Sequence, residues 1–275
     1  MKDLAGRGAF ITGAASGIGL GMARAFAKEG MKVALADVEK DALDKAADEL
    51  SKTNAQIIAI QLDVSDRQAM EDAARQTEEA FGKVHVLCNN AGVGGLGVPL
   101  DEETDEDWEW VIGVNLFGSI NGLQAFIPLL KKHGEGGHII NTSSMSGHRS
   151  VAGRNQGIYV TTKFALVGLS ESLRQDMEPH GIGVTVLCPS FVRTKMPLAG
   201  RNRPERFGGA FTRSHSDLTA GAANGRDPDD IGLMMVDAIR DNEFYVFTDA
   251  TQKEAVVERH RRVEAALDKA AIYGT

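Results

Sequence analysis

Apolar residues fall along this chain in short unbroken runs separated by longer stretches of helical period. The runs are Ala9-Phe10-Ile11, Val33-Ala34-Leu35-Ala36, Ile57-Ile58-Ala59-Ile60, Val84-His85-Val86-Leu87, His138-Ile139-Ile140, Val184-Thr185-Val186-Leu187 and Phe244-Tyr245-Val246-Phe247. Continuous rather than alternating apolarity predicts strands covered on both faces, as in a parallel sheet. After the third run, Met70, Ala73, Ala74, Thr77, Ala80 and Phe81 follow the i, i+3, i+4, i+7 template among acidic, basic and amide neighbours. That spacing predicts a helix laid on the sheet. The rhythm continues to about residue 190 with no Pro- or Ser-rich linker, so one α/β, doubly wound domain over residues 1–275 is expected. Residues 195–227, rich in Gly, Arg, Asn and Ser, interrupt it and read as a long irregular loop of the lid or substrate-binding kind. Pro228 to Ala271 reads as helix, strand, helix. In the acidic stretch from Asp101 to Asp107, Thr104 is placed to cap a helix whose first-turn acids suit its positive end.

Composition narrows the class. The 275 residues are 43% hydrophobic and 25% charged, enough for a sizeable core, and the formal net charge of -8 argues against a broad nucleic-acid surface. No signal-peptide pattern opens the chain and no apolar run reaches ~18 residues, so a soluble cytoplasmic protein without a membrane partner is expected. Cys88 and Cys188 each end an apolar run and read as buried free thiols.

Chemistry enters directly after the first strand, at Thr12-Gly13-Ala14-Ala15-Ser16-Gly17-Ile18-Gly19. Glycines let the backbone approach a pyrophosphate while the free N–H groups of the following helix face the anion. No Gly-Lys-Ser or Gly-Lys-Thr follows, which excludes a Walker loop. Asp37 ends the second strand, 18 residues after Gly19, where its carboxylate can accept from an adenosine ribose diol and repel a 2′-phosphate. With no Arg or Lys adjoining Asp37 or Ser16, NAD is preferred over NADP. Asp63, after the third strand, either caps the next helix or meets the adenine amino group. Further on, Tyr159 and Lys163 stand at i and i+4, so a helix would bring the ammonium beside the phenol and favour the phenolate.

The chain resembles the short-chain dehydrogenase/reductase family along essentially its whole length. The resemblance rests on Thr12-Gly13-x-x-x-Gly17-Ile18-Gly19, Asn89-Asn90-Ala91-Gly92, Asn115, Ser143-Ser144, Tyr159-x-x-x-Lys163 and Pro189-Ser190-Phe191-Val192-Arg193-Thr194, in that order. It implies a Rossmann-type sheet flanked by helices, a nicotinamide cofactor, no metal, and a secondary alcohol or ketone as the small-molecule substrate. It assigns Tyr159 as catalytic acid/base, Lys163 as its partner and ribose contact, Ser144 as the group orienting the substrate oxygen, and Asn115 as part of a proton relay. Gly13, Ser16, Gly17, Ile18, Gly19, Asp37, Asp63, Val64, Asn90, Ala91, Gly92, Pro189, Val192 and Thr194 would line the cofactor, with Asn89 packed along its ribose. The stretches 104–132 and 157–179 would pair across a two-fold axis to build a homodimer or homotetramer. The carboxyl-terminal pattern Asp237-Ala238-Ile239-x-x-Asn242-x-x-Tyr245-Val246 and residues 202–207 are similar to bacterial Cα-dehydrogenases of lignin-derived β-aryl ethers, which suggests a bulky or aryl substrate.

Two positions depart from the family pattern. Ser144 precedes Tyr159 by 15 residues, two more than usual, and Ser146 would restore the usual spacing. Ser144 is favoured because it directly follows the strand. Ser190 stands where glycine is usual. The segment before Tyr159 carries His148, Arg149, Arg154, Asn155 and Gln156, read either as a solvated loop or as a pocket rim for a polar or anionic group. Arg201, Arg203 and Arg206 either clamp an anion or pair with acids such as Glu205. Alternative readings are an NADP-dependent carbonyl reductase and a dinucleotide-binding sensor without turnover.

Overall fold

The computed structural model describes residues 1–212 and 216–270, so residues 213–215 of the expected loop and 271–275 of the expected domain lie outside it. All seven apolar runs form strands: β1 (Gly8–Thr12), β2 (Lys32–Asp37), β3 (Ile57–Gln61), β4 (Val86–Asn89), β5 (Gly137–Thr142), β6 (Ile182–Cys188) and β7 (Tyr245–Phe247). They pair in the order β3-β2-β1-β4-β5-β6-β7, and every pairing is parallel. β4 begins two residues later than its apolar run, where the Gly8 N–H turns to the His85 ring at 3.2 Å.

The helices are α1 (Gly17–Lys28), α2 (Lys40–Leu50), α3 (Arg67–Phe81), α4 (Asp105–Ile112), α5 (Gly118–Lys132), α6 (Gly157–Met177), α7 (Ser216–Ala223), α8 (Pro228–Asp241) and α9 (Lys253–Ala270). One sheet face packs on α1, α2 and α8 through Met22, Phe26, Leu43 and Met235, the other on α3, α5 and α6 through Met70, Phe126 and Leu173. Phe10 of β1 meets Phe126 with ring centroids 4.4 Å apart. Burying such a side chain contributes about 1.5–3 kcal/mol, and coverage of both faces is what the unbroken apolar runs encode. Met70, Ala73, Ala74, Thr77 and Phe81 are the buried face of α3, as their spacing predicts. Thr104 and Asp107 close a capping box on α4. Both cysteines are free and buried.

α4 and α5 join through a π-turn, Gly113–Phe117. The combined segment Asp105–Lys132 is long and apolar enough to cross a membrane by length and composition, yet half of its most apolar window is buried within this fold. The expected irregular loop holds more structure than its sequence suggests, with short 3-10 turns at Met196–Asn202 and Glu205–Phe207 followed by α7. A satellite cluster of Leu96, Trp110, Ile158 and Ala199, with Phe207 and Phe211 against it, seats its first half on α4 and α6. Sheet order reverses direction between β1 and β4, and the carboxyl ends of the strands open there into a cleft.

Candidate active site

The cleft begins at the turn between β1 and α1. Gly13 and Gly17 adopt φ of 66° and 55°, a region that disfavours side chains. A Cβ at Gly19 would strike the Gly13 carbonyl, and one at Gly17 would press on Thr194. Asn90 fastens the turn, its Nδ2 donating to the Thr12 carbonyl at 2.9 Å, while the Asn90 and Ala91 N–H groups both donate to Thr12 Oγ1. No acid occupies the first turn of α1, and Ser16 at its N-cap makes no side-chain cap bond. The helix therefore presents free N–H groups and a positive end at a backbone shaped for close approach, which fits a pyrophosphate.

Asp37 lies at the next strand end. Its carboxylate accepts from the Ala15 and Glu39 N–H groups at 3.0 Å each, tying the glycine turn to β2. Burial raises its pKa against the pull of those donors. Val38, Glu39, Asp63, Val64, Asn90, Ala91 and Gly92 continue the same wall. This sequence of glycine turn, helix end and carboxylate suits a dinucleotide along its adenosine half.

The inner end of the cleft is built by β5 and α6. Lys163 is 2% exposed, its Nζ donating to the Thr142 carbonyl at 2.9 Å and lying 5.5 Å from the Tyr159 ring centroid. Burial lowers its pKa to about 8. Tyr159 is also buried, and burial raises its pKa while the adjacent Ser144 hydroxyl lowers it. The Tyr159 hydroxyl also meets Met196 Sδ at 3.9 Å. Ser144 is held extended after β5, with Oγ accepting from the Ser146 N–H at 3.1 Å; Ser143 instead turns inward to the Lys163 carbonyl. Asn115, within the π-turn, is fully buried. Its side chain bonds reciprocally to the Val93 backbone at 2.7 and 3.0 Å and donates to Thr162 Oγ1 at 3.1 Å. It thereby fixes the strand exit beside Lys163.

A second, largely apolar cavity shares Ser144, Tyr159, Pro189, Ser190, Val192 and Thr194 with the cleft and extends past Leu96, Val151, Phe191 and Phe211. Ser144 and Tyr159 thus stand where a dinucleotide groove meets an apolar chamber. The profile of the short chain dehydrogenase family matches residues 7–203. This chain belongs to that family. It is 35% identical to a C alpha-dehydrogenase of a Sphingobium species over 98% of this chain and 88% of that protein. It is 36% identical to a 1-deoxy-11-beta-hydroxypentalenate dehydrogenase of Streptomyces exfoliatus over 89% and 83%. A short chain dehydrogenase/reductase of Burkholderia phymatum, solved in complex with NAD, superposes with a TM-score of 0.91 at 37% identity, covering 97% of each chain.

Within this dehydrogenase fold, several positions differ from the sequence-based expectation. Asn89 does not line the cleft. It is the last residue of β4 and turns beneath it to Asn141 and Ser119, leaving the wall to Asn90. Asp63 does not cap α3, because Asp66 does so through the Ala69 N–H; Asp63 instead closes a turn on Ser65. The Lys163 ammonium does not dominate the Tyr159 phenol, since it lies over the ring face and both groups are desolvated. An arginine does stand near Asp37: Arg201 reaches Glu39 from the long loop, at 3.2 Å through Nε and again through Nη2. Arg203 pairs with Asp107 at 2.7 Å, both side chains nearly buried, and Arg206 approaches Asp63 at 3.5 Å, so the basic cluster pairs internally but not with Glu205. Of the segment before Tyr159, Arg149, Arg154 and Gln156 line the apolar cavity, whereas His148 is buried against Cys188, Tyr245 and Phe247. Ser146 lines that cavity too, but its N–H serves Ser144.

Sequence reasoning passed over Glu39, Met196 and Gln252. Glu39, a second acid two places beyond Asp37, was open to notice; Met196 and Gln252 reach the site only through the fold. On the opposite end of the sheet, His85, His133 and Glu135 bring three potential ligand atoms within 4.8 Å. Their ring nitrogens are already committed. His85 Nδ1 accepts from Gly8 N–H and His133 Nδ1 from Glu135 N–H, while the Nε2 atoms face Glu135 and the Val84 carbonyl. With Lys83 and Arg7 on the same carboxylate, the cluster is a hydrogen-bonded ion network in which every ring nitrogen already has a partner.

Proposed function

We propose that this chain catalyses reversible hydride transfer between NAD(H) and a secondary alcohol or its ketone, with a bulky or aryl substrate. The observation that carries the reading is the meeting of the two cavities at Ser144 and Tyr159, with Lys163 beneath them. The dinucleotide supplies the hydride acceptor or donor. Tyr159 takes the hydroxyl proton during oxidation and returns it during reduction, and Ser144 orients the substrate oxygen by a hydrogen bond. Lys163, with a pKa near 8, contacts the cofactor ribose and passes the proton onward. Asn115 holds the segment that lines this route. Gly13, Ser16, Gly17, Ile18 and Gly19 cradle the pyrophosphate, Asp63 and Val64 flank the adenine, and Pro189, Val192 and Thr194 orient the nicotinamide. Asp37 and Glu39 favour NAD, the latter by occupying Arg201. The apolar walls at Leu96, Phe191 and Phe211 support a bulky substrate, in keeping with the likeness to a C alpha-dehydrogenase.

An NADP-dependent carbonyl reductase is the second reading, favoured by Arg201 at the adenosine end. Initial rates of NADH and NADPH formation across aryl and aliphatic secondary alcohols separate the two. The first reading requires higher kcat/KM with NAD and loss of turnover in Tyr159→Phe. A homodimer or homotetramer in the cytoplasm completes the proposal. Phe117, 54% exposed between α4 and α5, supports a partner there. A light-scattering mass near the single chain's 29.4 kDa would refute the assembly.

A further inference from the structure

Two arginines stand in the wall of the apolar cavity, and among the described residues no aspartate or glutamate lines it. Arg149 follows the 3-10 turn after β5, and Arg154 belongs to the loop that leads into α6. Among the described residues neither forms an ion pair, whereas Arg24, Arg201, Arg203 and Arg240 each meet a carboxylate. Arg149 Nη2 donates to the Gln252 carbonyl oxygen, and Gln252 in turn reaches Ser190 Oγ at 3.4 Å. Among the described residues that is the one partner for five N–H donors, and Arg149 Nε is buried without any. Burial, and then Arg154, lowers the Arg149 pKa. Arg154 is steadied by the Phe191 ring, 5.5 Å from its guanidinium carbon.

Two half-buried cations, repelling one another and short of protein acceptors, carry a cost. The chain has 38 acidic residues from which a partner could have been drawn. The cost is recovered when a bound molecule brings the anion, because a charge-assisted hydrogen bond in an apolar chamber is stronger than one in water. A carboxylate fits better than a phosphate dianion. Its two oxygens match one guanidinium fork, and Leu96, Val151 and Phe211 in the same wall suit the carbon body that carries it.

We infer that the physiological substrate carries a carboxylate, received by Arg149 and Arg154 while its carbinol or carbonyl sits at Ser144 and Tyr159. The inference rests on the reaction proposed above and names its substrate class: hydroxy acids and the matching keto acids. Gln252 is a positioning residue that holds Arg149.

The test is a ladder of secondary-alcohol acids, from 3-hydroxybutyrate through 4-(1-hydroxyethyl)benzoate to 11-hydroxydodecanoate, each assayed beside its methyl ester. At least one acid should exceed its ester in kcat/KM by about ten- to a hundred-fold, chiefly through KM. In Arg149→Gln and Arg154→Gln that acid-to-ester ratio should fall toward one, and Arg149→Lys should restore part of it. Binding of each keto acid and its ester to the NADH complex, read by thermal shift, gives a measure that does not need turnover. Turnover of neutral carbinols with no acid preference, or a preference that survives both glutamine variants, would overturn the inference and leave the reaction standing. Acids that bind more tightly than esters in an Arg149-dependent way, with no carbinol oxidised, would support the anion site and overturn the reaction.

Discussion

Replacing Lys163 by methionine should abolish turnover and yet stabilise the folded chain at neutral pH. The ammonium is 2% exposed, and burial takes its pKa from the ordinary 10.5 to about 8. A displacement of that size corresponds to about 3 kcal/mol of stability withheld at pH 7, where the folded chain must carry a buried charge that the unfolded chain solvates. Methionine fills nearly the same volume without charge and forfeits the bond from Nζ to the Thr142 carbonyl, about 1 kcal/mol. The net gain is about 2 kcal/mol. Its pH dependence identifies the cause. Between pH 8 and 10.5 the unfolded wild type binds more protons at this site than the folded one, so wild-type stability rises with pH there. By pH 9.5 it regains about 2 kcal/mol and the advantage of Lys163→Met disappears. Paired urea denaturation curves at pH 7 and pH 9.5 read both values. A variant less stable than wild type by the same amount at both pH values would refute the reasoning.

Other consequences follow from the contacts of the long loop. Asp37→Ala combined with Glu39→Gln removes both carboxylates and frees Arg201, so the ratio of kcat/KM for NAD over NADP should fall by about a hundred-fold, the size of one to two charge-assisted bonds. Steady-state kinetics with both cofactors checks it. Arg203→Ala strands Asp107, 9% exposed on its side chain, and empties the space beside Trp110 and Phe211. A loss of about 3 kcal/mol in denaturant stability, with faster proteolytic cutting in residues 196–207, is expected.

The parts of this fold written in contiguous residues were legible in the sequence. The five inner strands could be read because each is covered on both faces, the part-exposed edge strands β3 and β7 because their runs are apolar all the same, and α3 because Met70, Ala73, Ala74, Thr77 and Phe81 share one stripe. The glycine turn and the Tyr159–Lys163 spacing were legible for the same reason, since each is a local pattern. What escaped depends on encounters between distant segments. Arg201 and Glu39 are 162 residues apart, and Arg203 finds Asp107 rather than its neighbour Glu205 because Trp110 and Phe211 form the pocket for its guanidinium. Asn89 and Asn90 differ by one place, but strand alternation sends the first toward Asn141 and leaves the second on the cleft. The direction of the Tyr159 pKa could not be read from i, i+4 spacing, because desolvation of both partners is a property of the packed core.

The central claim is that Tyr159 moves the proton that accompanies hydride transfer to a carbonyl. Its most direct test gives wild type and Tyr159→Phe deuterated NADH, carrying the label at the transferable position, with a panel of aryl ketones and keto acids. Carbinol products are then read by mass spectrometry, and NADH binding is followed in parallel by fluorescence. The account predicts deuterium on the carbinol carbon from wild type, and at least about a thousand-fold less from Tyr159→Phe at unchanged NADH affinity. Deuterated alcohol formed by Tyr159→Phe at the wild-type rate, or none formed by wild type from any ketone or keto acid, would contradict it.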